Sequence, residues 1–270
     1  MSLARLLSLF KKKRDSPSPP KADECCLCRE PLSGRVAQDA WGNSAHLTHR
    51  ISFCGSCERI LSPYSSGGAY QYSDGRLICG FCKKIAVTDS VEANRGRRKV
   101  LDLLEKAGFL GIPKNVKIVL AHPRSLSAHA RGRPTSGLTL THFHFNNYKR
   151  SGTTHQIGIL HGLPKVEFEA VMAHELLHVW QHENGIHFSP MYAEGLCELG
   201  GFLVYSEDSS DLARHFLEKM KRNPDPVYGN GFRLMLEKLK KVGWKALIDE
   251  ILRNKRGFEG RILSKMFPKN

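Results

Sequence analysis

The chain has 270 residues, of which 41 are Lys or Arg and 26 are Asp or Glu, so its formal charge is +15 at pH 7. It contains no apolar run of the ~18–20 residues that a transmembrane helix needs, and we expect no such helix. Its length suits a small module beside a domain that has its own hydrophobic core. The basic residues are dispersed and are not interleaved with aromatic residues, which argues against specific recognition of nucleic acid.

Residues 1–24 are predicted to form a basic tail and linker. Its apolar residues fall on one helical face: Leu3, Leu6, Leu7 and Phe10. The basic cluster 11–14 follows this apolar part, and no small-residue cleavage site comes after it, which argues against a secretory signal. We therefore expect a cytoplasmic protein that can associate peripherally with a membrane surface through this tail.

Cysteines dominate the next segment, with seven of the eight lying between residues 25 and 82. Six of them form C-x2-C pairs, a spacing typical of zinc sites. Each structural zinc needs four ligands, so the six cysteines require two partners, which His46 and His49 can supply. A two-zinc module over residues 25–90 is predicted, with the ligand sets Cys25, Cys28, His46, His49 and Cys54, Cys57, Cys79, Cys82.

Other roles for the cysteines are open. A disulfide framework is the alternative to zinc, but the absence of a secretory signal disfavours it. Cys26 is an extra cysteine that could exchange with Cys25 as a ligand. Cys197 is predicted to be a small buried side chain.

The following segments predict an α+β domain over residues 91–260, with 261–270 as a tail. Helices are expected at 91–108, 209–222, 227–242 and 244–255. Strands are expected at 116–121, 138–145 and 156–161. We expect the last of these to be an edge strand that aligns a substrate backbone by strand addition. His142 and His144 are expected on the polar face of their strand.

A helix over residues 165–184 carries the sequence His-Glu-Leu-Leu-His, with Gly185 as its stop. Residues four apart share a helix face, so His174 and His178 can bind one zinc ion. Glu175 would then lie beside the open position of the metal and act as general base for zinc-activated water. This pattern is typical of a metallopeptidase.

A second helix follows, with Ser189 as N-cap and Pro190 as its first residue. Glu194 and Glu198 share one face of it. We expect Glu194 to be the third zinc ligand and Glu198 to orient a ligand imidazole, which is the gluzincin arrangement. The alternative third ligands are His182 and His187.

The zinc module, the HELLH helix and the following Glu-Gly helix together resemble the DA1 family of LIM peptidases. Trp41, the segment 74–79 and the segment 225–233 also carry this resemblance, which covers about residues 25–255. It implies a LIM-like double zinc module followed by a zincin-type, gluzincin-like peptidase domain. Position and resemblance together make Tyr228 a candidate hydrogen-bond donor to the oxyanion.

The leading hypothesis is a zinc-dependent endopeptidase with one catalytic and two structural Zn²⁺ ions, acting on protein or peptide substrates. Its LIM-like module would bind protein partners and would recruit substrates or regulate the enzyme. Two other classes stay open. One is a zinc-module interaction protein with a latent peptidase domain, and the other is a zinc protein associated with nucleic acid.

Overall fold

The computed structural model describes residues 20–130 and 135–255. The predicted apolar face of the tail and the predicted tail at 261–270 lie outside these residues. The chain divides into two compact units, with the boundary along the sequence between Lys84 and Ile85. Each unit contains both helical and sheet structure, which confirms the predicted mixture of α and β structure. Within the described ranges, every helix is too short or too polar to span a bilayer.

The first unit is built from two short hairpins and one helix. The elements are β1 (Val36–Gln38), β2 (Ser44–His46), β3 (Ala69–Gln71), β4 (Leu77–Cys79) and α1 (Gly80–Lys84). Antiparallel pairs form between β1 and β2 and between β3 and β4. A small core of buried residues consists of Cys25, Cys26, Ala45 and Ile60. A core this slight does not stabilise a module unaided, so bound metal would supply folding free energy.

Polar contacts join the two halves of this unit. The Asp39 carboxylate accepts a hydrogen bond of 2.8 Å from the backbone nitrogen of Ile60. Trp41 Nε1 donates to the carbonyl of Cys57 at 2.8 Å. The Asp39 contact and the Trp41 contact both span from the β1–β2 hairpin to the second C-x2-C segment. The two halves therefore pack together across the four residues that separate His49 from Cys54.

The second unit contains three strands and six helices in its described part. In chain order they are α2 (Ser90–Ala107), β5 (Lys117–Ala121), α3 (Pro123–His129), β6 (Gly137–Asn146), β7 (Lys149–Leu160), α4 (Lys165–Glu183), α5 (Pro190–Glu207), α6 (Asp211–Arg222) and α7 (Tyr228–Arg253). Gly243 has φ 76° inside α7, so it separates two helical parts as the sequence predicted. The short α3 was not predicted.

The sheet order is β5-β7-β6, with β5 parallel and β6 antiparallel to β7. The prediction that residues 156–161 form an edge strand is wrong. Residues 156–160 belong to the central strand, because β5 and β6 occupy both of its hydrogen-bonding sides. The edge strand that contacts α4 is β6, through the Thr139 side chain and Glu175.

Helix α5 crosses its neighbours at unusually close range because glycines lie at the crossings. A Cβ atom on Gly200 would come within 2.9 Å of the Ala173 carbonyl oxygen in α4. A Cβ atom on Gly195 would lie 2.4 Å from the backbone of Gly231 in α7. Small residues thus bring the backbones of α4 and α7 against α5 next to His174 and Glu194.

Replacing Gly231 with Ala should destabilise the second unit, because the added Cβ would lie 2.1 Å from the Met191 carbonyl oxygen. We expect the free energy of unfolding to fall by about 1–3 kcal/mol, despite the better helix propensity of Ala. Urea unfolding of the full chain measures this. Gly152→Ala is the matched control, because its nearest neighbour atom would be 3.9 Å away. Equal stability of the two variants would contradict the close crossing.

Candidate metal centres

Two C-x2-C segments of the first unit adopt the same tight turn. The backbone nitrogen of Arg29 donates to the Cys25 carbonyl at 2.8 Å, and that of Glu58 donates to the Cys54 carbonyl at 3.0 Å. Arg29 and Glu58 both have positive φ, 69° and 61°. This turn directs both sulfurs of a pair to one side. The third pair brackets the start of α1, where the Cys82 nitrogen donates to Cys79 Sγ at 3.4 Å.

These turns assemble two clusters that could hold metal ions, compatible with zinc. Their members are those grouped from the sequence: Cys25, Cys28, His46 and His49 in one, and Cys54, Cys57, Cys79 and Cys82 in the other. The Sγ atoms of Cys57 and Cys79 are 3.7 Å apart. Tetrahedral Zn–S bonds of ~2.3 Å separate sulfurs by about 3.8 Å, so the spacing suits zinc.

The remaining cysteine of this segment, Cys26, is fully buried in the core and belongs to neither cluster. In the four-cysteine cluster, hydrogen bonds from Cys57, Cys79 and Cys82 lower the pKa of the Cys54 thiol. The same contacts raise the pKa values of the Cys57 and Cys82 thiols, so the cluster favours a thiolate at Cys54 that its neighbours stabilise.

A third set of donors converges between α4 and α5. His174 Nε2 lies 3.1 Å from Glu194 Oε2, His178 Nε2 lies 3.4 Å from the same oxygen, and the two nitrogens are 3.2 Å apart. We call His174, His178 and Glu194 the His174 site. A tetrahedral zinc with bonds of ~2.0–2.1 Å separates its ligands by about 3.3–3.4 Å. The triangle therefore fits three ligands of one zinc ion.

Two side chains of α5 contact the outer nitrogens of the imidazoles. Glu198 Oε1 lies 3.2 Å from His174 Nδ1, the contact expected for it. Cys197 Sγ lies 3.4 Å from His178 Nδ1 and accepts a hydrogen bond from Gln181 Nε2 at 2.9 Å. Such partners fix the orientation of a ligand imidazole. The role of Cys197 was missed, although it follows Glu194 by three residues and so shares its helix face.

Cys197 is itself close enough to both imidazoles to form a candidate metal group with them. The geometry favours Glu194 over Cys197 as the third donor, because its carboxylate faces the Nε2 atoms of both histidines. Cys197 instead faces Nδ1 of His178, and His174 Nδ1 is already directed at Glu198. Burial also raises the pKa of the Cys197 thiol well above its usual value, which opposes thiolate formation.

Glu175 lies beside this triangle and is held by β6. Thr139 Oγ1 donates to Glu175 Oε2 at 2.7 Å. A Cβ atom on Gly137 would come within 2.6 Å of Glu175 Oε1, so the strand passes directly over the carboxylate. Sequence reasoning missed Thr139, because the contact joins residues 36 apart with no pattern to link them.

Tyr228 begins α7 and reaches the same site. Its ring centroid is 6.3 Å from that of His174, and the two rings are nearly parallel. Burial, and next the charge of Glu194, raise the pKa of the Tyr228 hydroxyl to about 12. The phenol is therefore protonated at neutral pH and can donate a hydrogen bond. The alternative ligands lie elsewhere: His182 groups with His155 and Glu183, and His187 joins no candidate metal group in the described residues.

The site is strongly polarised. Burial opposes ionisation of Glu194, but hydrogen bonds from His174 and His178 outweigh this and lower its pKa to about 2. For His174 burial favours the neutral ring, yet Glu194 and Glu198 raise its pKa well above the ordinary value. Several carboxylates surround the two imidazoles, so the site favours the binding of a positive ion. A divalent metal ion has the charge that suits it.

The chain thus combines a mixed α/β unit, in which two histidines and a glutamate converge, with a cysteine-rich unit that could hold two metal ions. Residues 105–205 match the family model described as DA1-like, Protein DA1. This segment includes His174, Glu175, His178, Glu194 and Glu198. The match and the relatives below confirm the predicted resemblance to the DA1-like family.

Three similar proteins come from Arabidopsis thaliana. Protein DA1-related 2 is 23% identical, with 77% of this chain and 51% of the relative aligned. Protein DA1 is 22% identical over 73% of this chain and 48% of the relative, and Protein DA1-related 7 is 23% identical over 77% and 49%. The chain therefore spans about half the length of the curated relatives that it matches. No solved structure matches it significantly.

Zinc affinity at the His174 site should rise with pH. The raised pKa of His174 keeps its ring protonated near neutrality, and a zinc ligand must be neutral, so zinc binding displaces a proton. We expect affinity to increase by about tenfold per pH unit below the raised pKa of His174 and to level off above it. Competition with a chelator measures this affinity. The His174→Ala/His178→Ala variant reports zinc binding at the other sites, which is subtracted from that of wild type. A pH-independent affinity would contradict the protonation of His174.

Proposed function

We propose that the chain is a zinc-dependent endopeptidase that hydrolyses peptide bonds in protein substrates. The observation that carries this proposal is the triangle of His174 Nε2, His178 Nε2 and Glu194 Oε2, with Glu175 beside it. Zinc held there would supply Lewis acidity and lower the pKa of water. The histidines and Glu194 hold the ion, while Glu198 and Cys197 orient the imidazoles.

Glu175 is the proposed general base. The Thr139 hydroxyl occupies Oε2, which fixes the carboxylate and leaves Oε1 to accept a proton from the attacking water. The same carboxyl group can later deliver that proton to the leaving amine. Tyr228 is proposed to donate a hydrogen bond to the oxyanion as negative charge develops on the scissile carbonyl.

The edge strand β6 is the proposed binding surface for the substrate backbone. Among the described strands it pairs only with β7, so its other side is a sheet edge at which a peptide strand could be added. Thr139 ties this strand to Glu175, and a peptide added there would run past the His174 site. This replaces the substrate strand expected at residues 156–161.

The first unit is proposed to be a LIM-like module that holds two structural zinc ions and binds protein partners. Leu47, Phe53 and Phe81 are exposed on it, each by about half of its surface. Exposed apolar side chains mark an interaction surface where they form a contiguous patch, and these three are candidates for one. Their presence supports the recruitment of substrates or regulators and gives no support to nucleic-acid binding.

Glu175→Gln should abolish most hydrolysis while zinc remains bound, because the amide cannot accept the proton. We expect a loss on the order of 10²–10⁴-fold in kcat. A peptide library scanned by mass spectrometry for new termini measures activity, and elemental analysis measures zinc. The exposed Glu237→Gln in α7 is the control. Full activity of Glu175→Gln would overturn the mechanism, and activity of wild type that resists chelators would overturn the zinc dependence.

Tyr228→Phe removes the proposed oxyanion donor but preserves the ring beside His174. We expect kcat to fall by about 10²-fold with little change in KM, because the bond would form mainly in the transition state. Steady-state kinetics on a peptide found in the library measures both constants. Tyr148→Phe, in the exposed turn between β6 and β7, should behave as wild type. An unchanged kcat/KM for Tyr228→Phe would exclude this role.

A further inference from the structure

Three side chains outside the His174 site converge where the sheet meets the end of α4. His155 extends from β7, and His182 and Glu183 occupy the last turn of α4. We call these residues the His155 cluster. Their ligand atoms all lie within 4.8 Å of one another. His155 Nε2 is 2.8 Å from Glu183 Oε1, and His182 Nδ1 is 3.8 Å from the same oxygen.

His155 is built into the sheet in the orientation that a metal ligand requires. Its side chain is only 2% exposed, and Thr141 Oγ1 lies 3.0 Å from its Nδ1. At 2.8 Å, Nε2 donates to the Glu183 carboxylate, which can only accept. A metal ion bound between them would take the place of this proton, and Nδ1 could then donate to the Thr141 hydroxyl. Metal-bound imidazoles are held through their other nitrogen in this way.

His182 is also held in place by its neighbours. Its ring centroid is 5.3 Å from that of His155 and 5.4 Å from that of Phe143. One imidazole would be enough to pair with the Glu183 carboxylate. A second imidazole near the same oxygen goes beyond a simple ion pair and completes the donor set of a zinc site.

We propose that His155, His182 and Glu183 form a further divalent transition-metal site, which takes Zn²⁺ and clamps the β6–β7 sheet to the end of α4. His182 lies one helical turn beyond His178, about 6 Å along the axis, so the two sites are separate. The Glu183 side chain is 33% exposed and that of His182 is 24% exposed. Solvent access makes this ion exchangeable. The proposal does not depend on peptidase activity.

The test is equilibrium dialysis of the full chain against buffered Zn²⁺, followed by elemental analysis. His182→Asn should bind one zinc ion fewer than wild type, and Glu183→Gln should do the same with little change in shape. His142→Asn is the matched control, because His142 is exposed on the same strand as Thr141 but on its other face. Equal zinc content in wild type, His182→Asn and Glu183→Gln would overturn the proposal.

Two further measurements separate this site from the His174 site. The His174→Ala/His178→Ala variant should lose one zinc ion but still bind the exchangeable ion at the His155 cluster. An empty His174 site and an empty His155 cluster therefore give different zinc counts across the variants. In wild type, zinc at about ten times its Kd should slow hydrogen exchange near His155 by about tenfold. Glu183→Gln should show no such protection. Zinc-dependent protection that persists in this variant would overturn the clamp.

Discussion

The close crossing of α4 and α5 is the constraint on which the second unit depends. Gly200 allows α5 to approach the carbonyl of Ala173, the residue before His174. At this distance a glutamate on α5 can reach both imidazoles of α4 with a single oxygen. Gly195 then allows α7 to pack on the far side of α5, which brings Tyr228 to the same place. The close contacts at Gly200 and Gly195 therefore bring α4, α5 and α7 together around one site.

The close packing of these helices also brings several carboxylates together. Glu175 is buried beside imidazoles that Glu194 and Glu198 also approach. Clustered carboxylates repel one another in a low-dielectric surrounding, and hydrogen bonds from the histidines oppose this repulsion at Glu194. A divalent cation would relieve this repulsion. The helix packing that positions the donor triangle therefore also favours metal binding.

Local sequence patterns predicted the helices of this region and the grouping of the donors, because helix spacing is a short-range property. His174, His178, Glu194 and Glu198 follow from positions three to four residues apart on two adjacent helices. The C-x2-C spacing likewise grouped the cysteines. Strand order was not predictable in this way. Whether β7 is central depends on which strands pair with both its sides, and no local pattern encodes that. The partnership of Thr139 with Glu175 was hidden for the same reason.

The two imidazoles of the His174 site have unequal partners, and this difference suits the proposed chemistry. A carboxylate, Glu198, faces His174, whereas a neutral thiol, Cys197, faces His178. A carboxylate behind an imidazole increases its basicity and strengthens its bond to metal, while a thiol orients the ring with less added charge. A second carboxylate would add negative charge to a site that already has Glu175 and Glu194. One strong and one weak partner thus balance tight binding against the Lewis acidity that peptide hydrolysis requires.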